Sequence, residues 1–349
     1  MIKLKKFSKV GIIGYGAYVP KFRISVDVIA KTWDKNGAVI SASLGVRQKS
    51  VAGMDEDCLT MATQAGWQAL QMAKIDPRKI GACFVGSESF PYAVKPTSTV
   101  LAEALGIGND YFSADLQFAC KAGTAGVQIV ASMIEAGLID YGLAVGADKS
   151  QSKPNDALEF TAASAAGALI LGNNKKDWLA SLDYISSLSS DTPDFWRRST
   201  QEYPSHAGRF TGGPAYFKHV VGATKLFLAK INKSPKDFDY AVFHSPNKKF
   251  PVKAGKILGF TSEQLEYSLL VENIGNPYSA SSMVSLANVL DNSRKNAKIL
   301  VTSYGSGAGS DSFSFTRLSG QAKQKLTDYL KNAQELDYGQ YLRFMGVVR

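Results

Sequence analysis

The sequence predicts an α/β protein made of two duplicated βα halves, and a repeated order of segments is the main reason. Apolar runs of strand type alternate with segments of helical composition, and the same order occurs twice along the chain. The run IGACFVGSES (80–89) has the character of FDYAVFHSPN (238–247), and each precedes a helical segment that contains Leu-Gly. This repeat predicts mostly parallel sheets with helices sandwiched between them.

A constant spacing supports the duplication. Glu88 and Cys120 are 32 residues apart, and so are His244 and Asn276. This register predicts that Glu88 and His244 each follow the end of a strand of the same type. Cys120 and Asn276 are then each expected at the turn before a buried helix. The alternative is a chance likeness, because any α/β protein contains similar segments.

Turn residues mark a boundary between the halves. The stretch LILGNNKKD closes a strand near Gly172, so we predict an N-terminal half over 1–172 and a C-terminal half over 173–349. Residues 190–215 are polar and aromatic and include three prolines, which indicates an insertion that covers a site.

The basic and apolar start of the chain resembles a signal peptide, but it lacks a small-residue cleavage pattern and is interpreted as the first core strand.

Composition narrows the class of protein. Hydrophobic residues make up 45% of the 349 residues and charged residues 20%, which is typical of a soluble globular protein. The apolar runs are shorter than the roughly 18–20 residues that a membrane-spanning helix needs. Three widely spaced cysteines, with no Cys/His pair at ligand spacing, indicate a reducing compartment and argue against a zinc site. We therefore predict a cytoplasmic protein with no membrane partner and no bound metal.

The formal net charge of +10 does not identify a partner by itself. The basic residues are scattered, and no zinc finger, recognition helix or aromatic–basic repeat accompanies them, so we predict no nucleic-acid partner. A polyanionic small ligand, such as a nucleotide-bearing coenzyme, agrees equally well with the excess of positive charge.

Cys120 is the strongest candidate for chemistry. It lies in FACKAGTAG, where an apolar strand is expected to lead to the cysteine and Gly123 and Gly126 open a helix. A helix N-terminus favours the thiolate, and the Cys120 amide is placed to donate to a developing oxyanion. Cys58 and Cys83 lie in segments that are typical of buried core cysteines, and we interpret them as structural.

The duplication selects three further candidates. His244 follows an apolar run, and the end of a strand is where side chains reach a cleft in α/β sheets. Glu88 directly follows a strand and is either a carboxylate of the site or a solvated turn residue. Asn276 is either a turn residue or a group that holds a substrate carbonyl or a water. The other histidines, His206 and His219, are interpreted as structural.

These residues resemble the pattern of the condensing enzymes of the thiolase superfamily, and within it the hydroxymethylglutaryl-CoA synthase family, particularly its short archaeal type. Similar motifs occur along almost the whole chain: GYGAYVP, GSESFPYAVKPTST, FACKAGT, EFTAASAAGALILG, TGGPAYFKHV, FHSPNKKFP, ENIGNPYSASS and SYGSGAGSD. The resemblance implies the thiolase fold, a five-layer αβαβα sandwich. It also implies a cytoplasmic acyltransferase of the mevalonate pathway that needs no cofactor beyond its CoA substrates.

The resemblance further implies a reaction in three stages. Acetyl-CoA acetylates Cys120, and free CoA leaves. Glu88 then removes a proton from the acetyl methyl group, and the enolate attacks the ketone of acetoacetyl-CoA, which His244 positions and whose new alkoxide it protonates. Water finally releases 3-hydroxy-3-methylglutaryl-CoA. A methyl group is a very weak acid, so the chemistry needs a positioned base and an oxyanion hole, which the amides of Cys120 and Ser306 are implied to form.

The remaining site residues and the partners follow from the resemblance alone. Positions that match substrate contacts are Asn36, Gly37, Thr161, Thr211, Lys253, Asn276 and Ser306. Arg209 and Lys249 match basic positions near the CoA phosphates. The family implies a homodimer, and its archaeal members imply a complex with acetoacetyl-CoA thiolase and a small zinc-ribbon/OB-fold protein. The C-terminal segment is expected to form a helix that packs on its own body.

Three other interpretations compete with this one. A ketoacyl-ACP synthase of the initiating class uses the same Cys, His and Asn, but its carbanion arises by decarboxylation and it needs no base at Glu88. A biosynthetic thiolase needs a second active-site cysteine, and no cysteine follows Cys120. A non-catalytic acyl-CoA-binding protein of this fold is the third, which the combination of Cys120, Glu88 and His244 disfavours.

Overall fold

The computed structural model describes residues 4–149, 151–307, 309–319 and 326–348. Its strands are β1 (Gly11–Tyr18), β2 (Phe22–Ser25), β3 (Gln48–Val51), β4 (Ile80–Gly86), β5 (Phe112–Leu116), β6 (Tyr141–Asp148), β7 (Ala165–Gly172), β8 (Ala180–Ser189), β9 (Phe195–Trp196), β10 (Ser205–His206), β11 (Tyr240–Phe243), β12 (Lys298–Thr302), β13 (Gly309–Arg317) and β14 (Gln334–Glu335). Its α-helices are α1 (Val26–Thr32), α2 (Gly37–Leu44), α3 (Cys58–Ala73), α4 (Thr97–Ala104), α5 (Ala122–Glu135), α6 (Lys218–Ile231), α7 (Lys249–Leu258), α8 (Ser262–Leu265), α9 (Val271–Ile274), α10 (Ser281–Asn292), α11 (Leu326–Lys331) and α12 (Tyr338–Phe344).

Nine strands form one sheet in the order β11-β12-β13-β8-β1-β7-β6-β4-β5. β1 and β8 join its two sides through two residue pairs, Gly11 with Ser181 and Ile12 with Ala180. Outward from this seam the order is β1-β7-β6-β4-β5 on one side and β8-β13-β12-β11 on the other. The two sides therefore repeat one another, except that the described residues contain helix α9 where a counterpart of β5 would stand.

The prediction of mostly parallel sheets is wrong. β4 pairs parallel with β5 and β6, and β11 pairs parallel with β12. The other pairings that the described residues make within this sheet are antiparallel. Parallel neighbours need a long crossover, usually a helix, whereas β6 returns to β7 and β12 returns to β13 with no α-helix among the described residues between them.

The helices and the two sides of the sheet form the five layers that were predicted. α3 and α4 cover the outer face of the N-terminal strands through residues such as Met61 and Leu101. α5 and α10 lie between the two sides of the sheet, where Val127 and Met283 belong to one shared core. α6 and α7 cover the outer face of the C-terminal strands, with Phe227 in their core.

The two central helices start from equivalent turns. A 3-10 turn, Ala119–Lys121, leads into α5, and a second, Tyr278–Ala280, leads into α10. The first residue of each turn has a φ of 44°, so the structure pairs Cys120 with Ser279 and not with Asn276. The predicted equivalence of Cys120 and Asn276 is therefore wrong in register, because the chain enters the second turn from helix α9, which advances less per residue than a strand.

The C-terminal segment packs on the body of the protein, as expected. β14 pairs in parallel with β2. Tyr341 of α12 is buried, and its hydroxyl accepts a hydrogen bond from the buried Lys49 ammonium over 3.0 Å. At the other end of the described chain, β1 is almost entirely buried, which confirms its interpretation as a core strand.

Candidate active site

Cys120 is held by a strained turn and a closely packed helix start. It is the central residue of the 3-10 turn before α5 and is only 4% exposed. The preceding Ala119 adopts the left-handed region, which costs a residue with a side chain about 1–2 kcal/mol. The small residues after Cys120 let α5 approach the sheet, because a side chain at Gly123 would come within 2.8 Å of the Gly146 Cα atom.

Glu88 is the carboxylate that contacts Cys120. It follows β4, and the Cys120 thiol donates a hydrogen bond to Glu88 Oε1 over 3.0 Å. Burial and the nearby Asp148 carboxylate raise the pKa of Glu88 to about 8, while the thiol contact acts in the opposite direction. Burial and Glu88 raise the pKa of the Cys120 thiol. Burial and the neighbouring carboxylate therefore oppose the thiolate that the helix start was expected to favour.

Asp148 fixes the segment that carries Glu88. It ends β6, is fully buried, and accepts hydrogen bonds of 2.7–2.8 Å from Ser87 Oγ, Glu88 N, Ser89 Oγ and Ser279 N. Asp148 was not among the residues predicted from the sequence. The same signal that selected Glu88, a carboxylate directly at the end of a buried strand, would have found it.

His244 follows β11 and is 1% exposed. The Tyr216 hydroxyl donates to the His244 carbonyl over 2.7 Å, and the His244 ring lies 6.1 Å from the ring of Tyr304. Burial lowers the pKa of His244 to about 3, so the imidazole is neutral. Its Nδ1 atom is buried and has no hydrogen-bond partner within the described parts of the chain, which is rare for a buried polar atom and suits a group that serves a ligand.

Asn276 is anchored to the loop that carries Thr161. Its backbone N–H donates to the Thr161 carbonyl over 2.7 Å, and its own carbonyl accepts from the Ala163 N–H over 2.9 Å. The side-chain Oδ1 accepts from the Tyr278 N–H over 3.1 Å. Because Oδ1 is bound to the backbone, the side-chain NH2 is the end that can donate to a substrate carbonyl.

A cavity of about 350 Å³ brings these groups together. Apolar and aromatic side chains, among them Leu158, Phe250 and Tyr304, form much of its wall. The predicted site residues that line it are Cys120, Thr161, Thr211, His244, Asn276 and Ser306. Glu88 reaches the cavity through its contact with Cys120.

The other predicted binding residues do not belong to this lining. Asn36 is the N-cap residue of helix α2, and Gly37 is its first residue. Lys249 and Lys253 are exposed on α7. Arg209 lies in a short 3-10 turn, and its side chain falls outside the described part of the structure. The roles of these residues stay predictions.

The predicted insertion, 190–215, supplies part of the cavity wall. His206, which was interpreted as structural, lines the cavity and lies 3.2 Å from an Asp156 carboxylate oxygen. Asp194 is buried and accepts from the Tyr304 hydroxyl and the Gly307 N–H, both over 2.7 Å. Asp194 therefore joins this segment to the Gly/Ser loop (303–307) that follows β12.

The rest of the described chain offers little competing chemistry. Cys58 and Cys83 are buried around α3 and β4, and burial raises the pKa of both thiols, which agrees with their interpretation as core residues. No group of three or more His, Cys, Asp or Glu side chains in the described ranges is placed to hold a metal ion. No helix in those ranges is long and apolar enough to cross a membrane.

Known proteins share both the sequence and the fold of this chain. The family described as 3-oxoacyl-[acyl-carrier-protein (ACP)] synthase III C terminal matches residues 228–315. Hydroxymethylglutaryl-CoA synthase of Archaeoglobus fulgidus is 53% identical over 96% of this chain and 98% of that protein. The protein of the same name from Methanobrevibacter smithii is 51% identical over 97% of this chain and 99% of its own length.

A solved structure shows the same fold at lower identity. A crystal structure of HMG-CoA synthase complexed with CoA is 23% identical and superimposes with a TM-score of 0.88, over 96% of this chain and 90% of that one. This likeness confirms the predicted thiolase fold. The two archaeal relatives, each about half identical over nearly the full length, decide the family. The chain belongs to the hydroxymethylglutaryl-CoA synthase family.

Proposed function

We propose that this chain condenses acetyl-CoA with acetoacetyl-CoA to give 3-hydroxy-3-methylglutaryl-CoA and CoA, through an acetyl group carried on Cys120. The observation that carries the proposal is the 3.0 Å contact between Cys120 Sγ and Glu88 Oε1, beside a cavity that His244 and Asn276 also line. A nucleophile and a base in contact are what a condensation by deprotonation needs. Membership of the family supports the same reaction and its place in the mevalonate pathway.

In the first half-reaction, Cys120 attacks the carbonyl carbon of acetyl-CoA. The thiol proton passes to the Glu88 carboxylate, the bond between the carbonyl carbon and the CoA sulfur breaks, and CoA leaves as a thiol with that proton. The Cys120 amide lies at the start of α5, where amides lack intrahelical partners and can donate to the oxyanion. By resemblance, the Ser306 amide is the second donor.

Acetylation changes the environment of Glu88 in the direction that the next step needs. In the free protein, the Cys120 S–H donates to Glu88 and lowers its pKa against the effects of burial and Asp148. A thioester sulfur carries no proton, so this lowering contact is lost and the pKa of Glu88 rises. A more basic carboxylate removes a proton from the acetyl methyl group more readily.

His244 is assigned to the second substrate. A neutral imidazole donates an N–H hydrogen bond without carrying a positive charge, and the low pKa of about 3 keeps His244 neutral. We assign this N–H to the ketone oxygen of acetoacetyl-CoA, where negative charge develops as the enolate attacks. The alkoxide takes this N–H proton, and the proton that Glu88 took from the methyl group replaces it on the imidazole, so that His244 is neutral again and Glu88 is again a carboxylate. Water then cleaves the thioester to Cys120.

The binding assignments rest on position and charge. Phe250 of α7 lines the cavity, and Lys249 and Lys253 are exposed on the same helix, where positive charge suits the CoA phosphates. We retain Arg209 for the phosphates and Asn36 with Gly37 for substrate contact, as the resemblance implies. A dependence of the KM for acetyl-CoA on salt concentration tests the charged part of this assignment.

We also propose that the predicted halves, 1–172 and 173–349, divide the chemistry between them. The first half carries Cys120 and Glu88, and the second carries His244. The repeated strand order on the two sides of the sheet supports this division.

A homodimer is the proposed assembly. β5 is an edge strand of the large sheet, and its residue Phe112 is 57% exposed. Beside it, Ile129, Met133 and Leu138 belong to the lining of a largely apolar surface cavity of about 410 Å³ on α5. β5 pairs on one side only among the described residues, and an edge strand next to an apolar helix face is a surface that pairs with a second copy, so two β5 edges can pair with each other. Measurement of the mass in solution, with Leu138→Asp as the weakened variant, tests this assignment.

The remaining assignments rest on the family resemblance. CoA thioesters are the proposed substrates, and no added cofactor is proposed. Association with acetoacetyl-CoA thiolase and a small zinc-ribbon/OB-fold protein is a proposal for this chain, and so is a cytoplasmic location.

Product analysis tests the proposed reaction directly. Purified protein with acetyl-CoA and acetoacetyl-CoA should form 3-hydroxy-3-methylglutaryl-CoA, detected by mass spectrometry, with no metal added. The match of residues 228–315 to the synthase III C-terminal family favours one other candidate, a condensing enzyme that uses a malonyl carrier protein. Turnover of malonyl carrier protein without turnover of acetoacetyl-CoA would establish that alternative and leave Glu88 without a role as a base.

A further inference from the structure

A buried ion pair between Lys121 and Asp311 lies next to Cys120, and the reaction proposed above assigns it no role. Lys121 follows Cys120 in the chain, and its ammonium contacts both carboxylate oxygens of Asp311, at 2.9 and 3.1 Å. The side chain of Lys121 is 6% exposed, and that of Asp311 is fully buried. The pair joins the turn that holds Cys120 to strand β13, which follows the Gly/Ser loop.

Further contacts fix both members of the pair in one geometry. Asp311 also accepts hydrogen bonds from Ser187 Oγ over 2.8 Å and from Thr124 Oγ1 over 3.2 Å. The Lys121 ammonium lies 3.9 Å from the centre of the Phe118 ring. A buried polar network whose members have partners holds its side chains rigidly.

The stem of Lys121 supports the closure of the Gly/Ser loop. Gly305 and Gly309 close this loop with two backbone hydrogen bonds, of 2.8 and 3.0 Å. A side chain at Gly305 would come within 3.0 Å of Lys121 Cγ, and one at Gly309 within 3.4 Å of Lys121 Cε. The loop carries Ser306, which lines the cavity beside Cys120.

Stability alone does not account for a charged pair at this place. Replacing a buried ion pair by uncharged side chains of similar volume is often neutral or stabilising. What the pair supplies is a single register between the turn and the strand, because the ammonium and the carboxylate meet in one arrangement only. Catalysis depends on such a register, since a displacement of about 1 Å can slow a reaction about 100-fold.

We propose that Lys121 and Asp311 are a positioning pair that fixes the Cys120 turn relative to the Gly/Ser loop. The pair thereby sets the distance between the Cys120 amide and the Ser306 amide, which donate to the thioester oxyanion. This inference rests on the proposed function, because the oxyanion arises only when Cys120 attacks a thioester. Lys121 acts through the placement of its neighbours and does not touch the reacting atoms.

Two reactions of the same sulfur separate positioning from general damage. Acetylation by acetyl-CoA passes through an oxyanion, whereas alkylation by iodoacetamide does not. The double variant Lys121→Met/Asp311→Asn removes both charges together, so the net charge near Cys120 stays the same. The new amide oxygen can still accept from Ser187 Oγ, and the amide NH2 can donate to Thr124 Oγ1, which itself donates to the Lys121 carbonyl. We expect its single-turnover acetylation rate to fall about 10- to 100-fold while its alkylation rate stays within about twofold of wild type.

A matched control makes the same two substitutions elsewhere. Lys233 and Asp237 form an exposed pair 3.3 Å apart, and Lys233→Met/Asp237→Asn should acetylate at the wild-type rate. If the buried double variant does not fold, Lys121→Arg, which keeps a positive charge beside Asp311 but changes the length and shape of the side chain, is judged by the same ratio of the two rates.

The outcomes distinguish the inference from the proposed function. Wild-type protein that acetyl-CoA does not acetylate contradicts the proposed function itself. If acetyl-CoA acetylates the wild type, and the acetylation rate of the double variant is within about threefold of the wild-type rate, the positioning role is overturned. A parallel loss of acetylation and alkylation overturns it as well, because that result describes a damaged nucleophile and not a displaced oxyanion hole.

Discussion

Substitution of Glu88 by glutamine removes the proposed base and keeps its size. Enolisation of the acetyl group needs a carboxylate, so Glu88→Gln should slow condensation about 10²- to 10⁴-fold, or about 3–5 kcal/mol in activation free energy. Acetylation should change far less, because two effects of the substitution oppose each other. The thiol loses its proton acceptor at 3.0 Å, but the carboxylate that raises the pKa of Cys120 is also gone.

Deuterium exchange isolates the step in which Glu88 acts. Acetylated wild-type protein in D2O, without acetoacetyl-CoA, should exchange the methyl protons of its acetyl group, and Glu88→Gln should not. Mass spectrometry of the acetylated peptide measures both the extent of acetylation and the exchange. Glu103→Gln makes the same substitution at an exposed residue of α4 and should behave as wild type.

The condensation rate should increase with pH if Glu88 is the base. The base acts when it is ionised, and with a pKa of about 8 in the free protein, which acetylation of Cys120 raises further, no more than about a tenth of Glu88 is ionised at pH 7. The condensation rate of the wild type should therefore rise at least about tenfold as the pH increases from 7 to well above the pKa of Glu88 in the acetylated protein, and Glu88→Gln should lack this rise. Exchange at the wild-type rate in Glu88→Gln, or an equal loss of acetylation and condensation, would refute the assignment of Glu88 as the enolising base.

Other changes test the remaining parts of the site. Cys120→Ser should abolish covalent acetylation while the fold is retained, and mass spectrometry that finds the acetyl group on Cys58 or Cys83 would contradict the assignment. His244→Ala should raise the KM for acetoacetyl-CoA and slow condensation about 10²- to 10³-fold, while the acetylation rate stays within about tenfold of wild type. Equal losses in the acetylation and condensation rates would count against the role of His244 with the second substrate. Asp148→Asn should lower the free energy of unfolding by about 1–3 kcal/mol, because a carboxylate that accepts several hydrogen bonds is replaced by an amide with one acceptor oxygen. Urea denaturation measures this free energy, and an unchanged value would contradict the prediction.

Local signals in the sequence selected Cys120, Glu88 and His244 as candidates, whereas Thr161, Thr211 and Ser306 followed from the family resemblance alone. Cys120 stands in a small-residue helix start, and His244 directly follows an apolar run that forms β11. Glu88 is the second residue after β4, which ends at Gly86. Strand ends and helix starts meet at one edge of an α/β sheet, so local patterns are enough to gather these side chains.

The supporting residues could not be predicted in this way. Lys121 and Asp311 are separated by 190 residues, and nothing in the sequence around either one indicates that they meet. Asp194 and Gly307 are separated by 113 residues, and their contact depends on how the 190–215 segment folds back over the cavity. Such pairs follow from the packing of β13 and the insertion against the nucleophile turn, and packing is a property of the whole fold.

The pairing of Cys120 with Ser279, in place of Asn276, has a chemical consequence. The same strained turn occurs twice, and its central residue is Cys120 in one half and Ser279 in the other. Ser279 is fully buried; its hydroxyl donates to the Gly86 carbonyl over 2.9 Å and its N–H donates to Asp148 over 2.8 Å. Asp148 in turn holds the Glu88 segment, so the second copy of the turn braces the base that contacts the first. Two equivalent turns thus supply the nucleophile and the support of its base, and a single rigid unit keeps sulfur and carboxylate within 3.0 Å of each other.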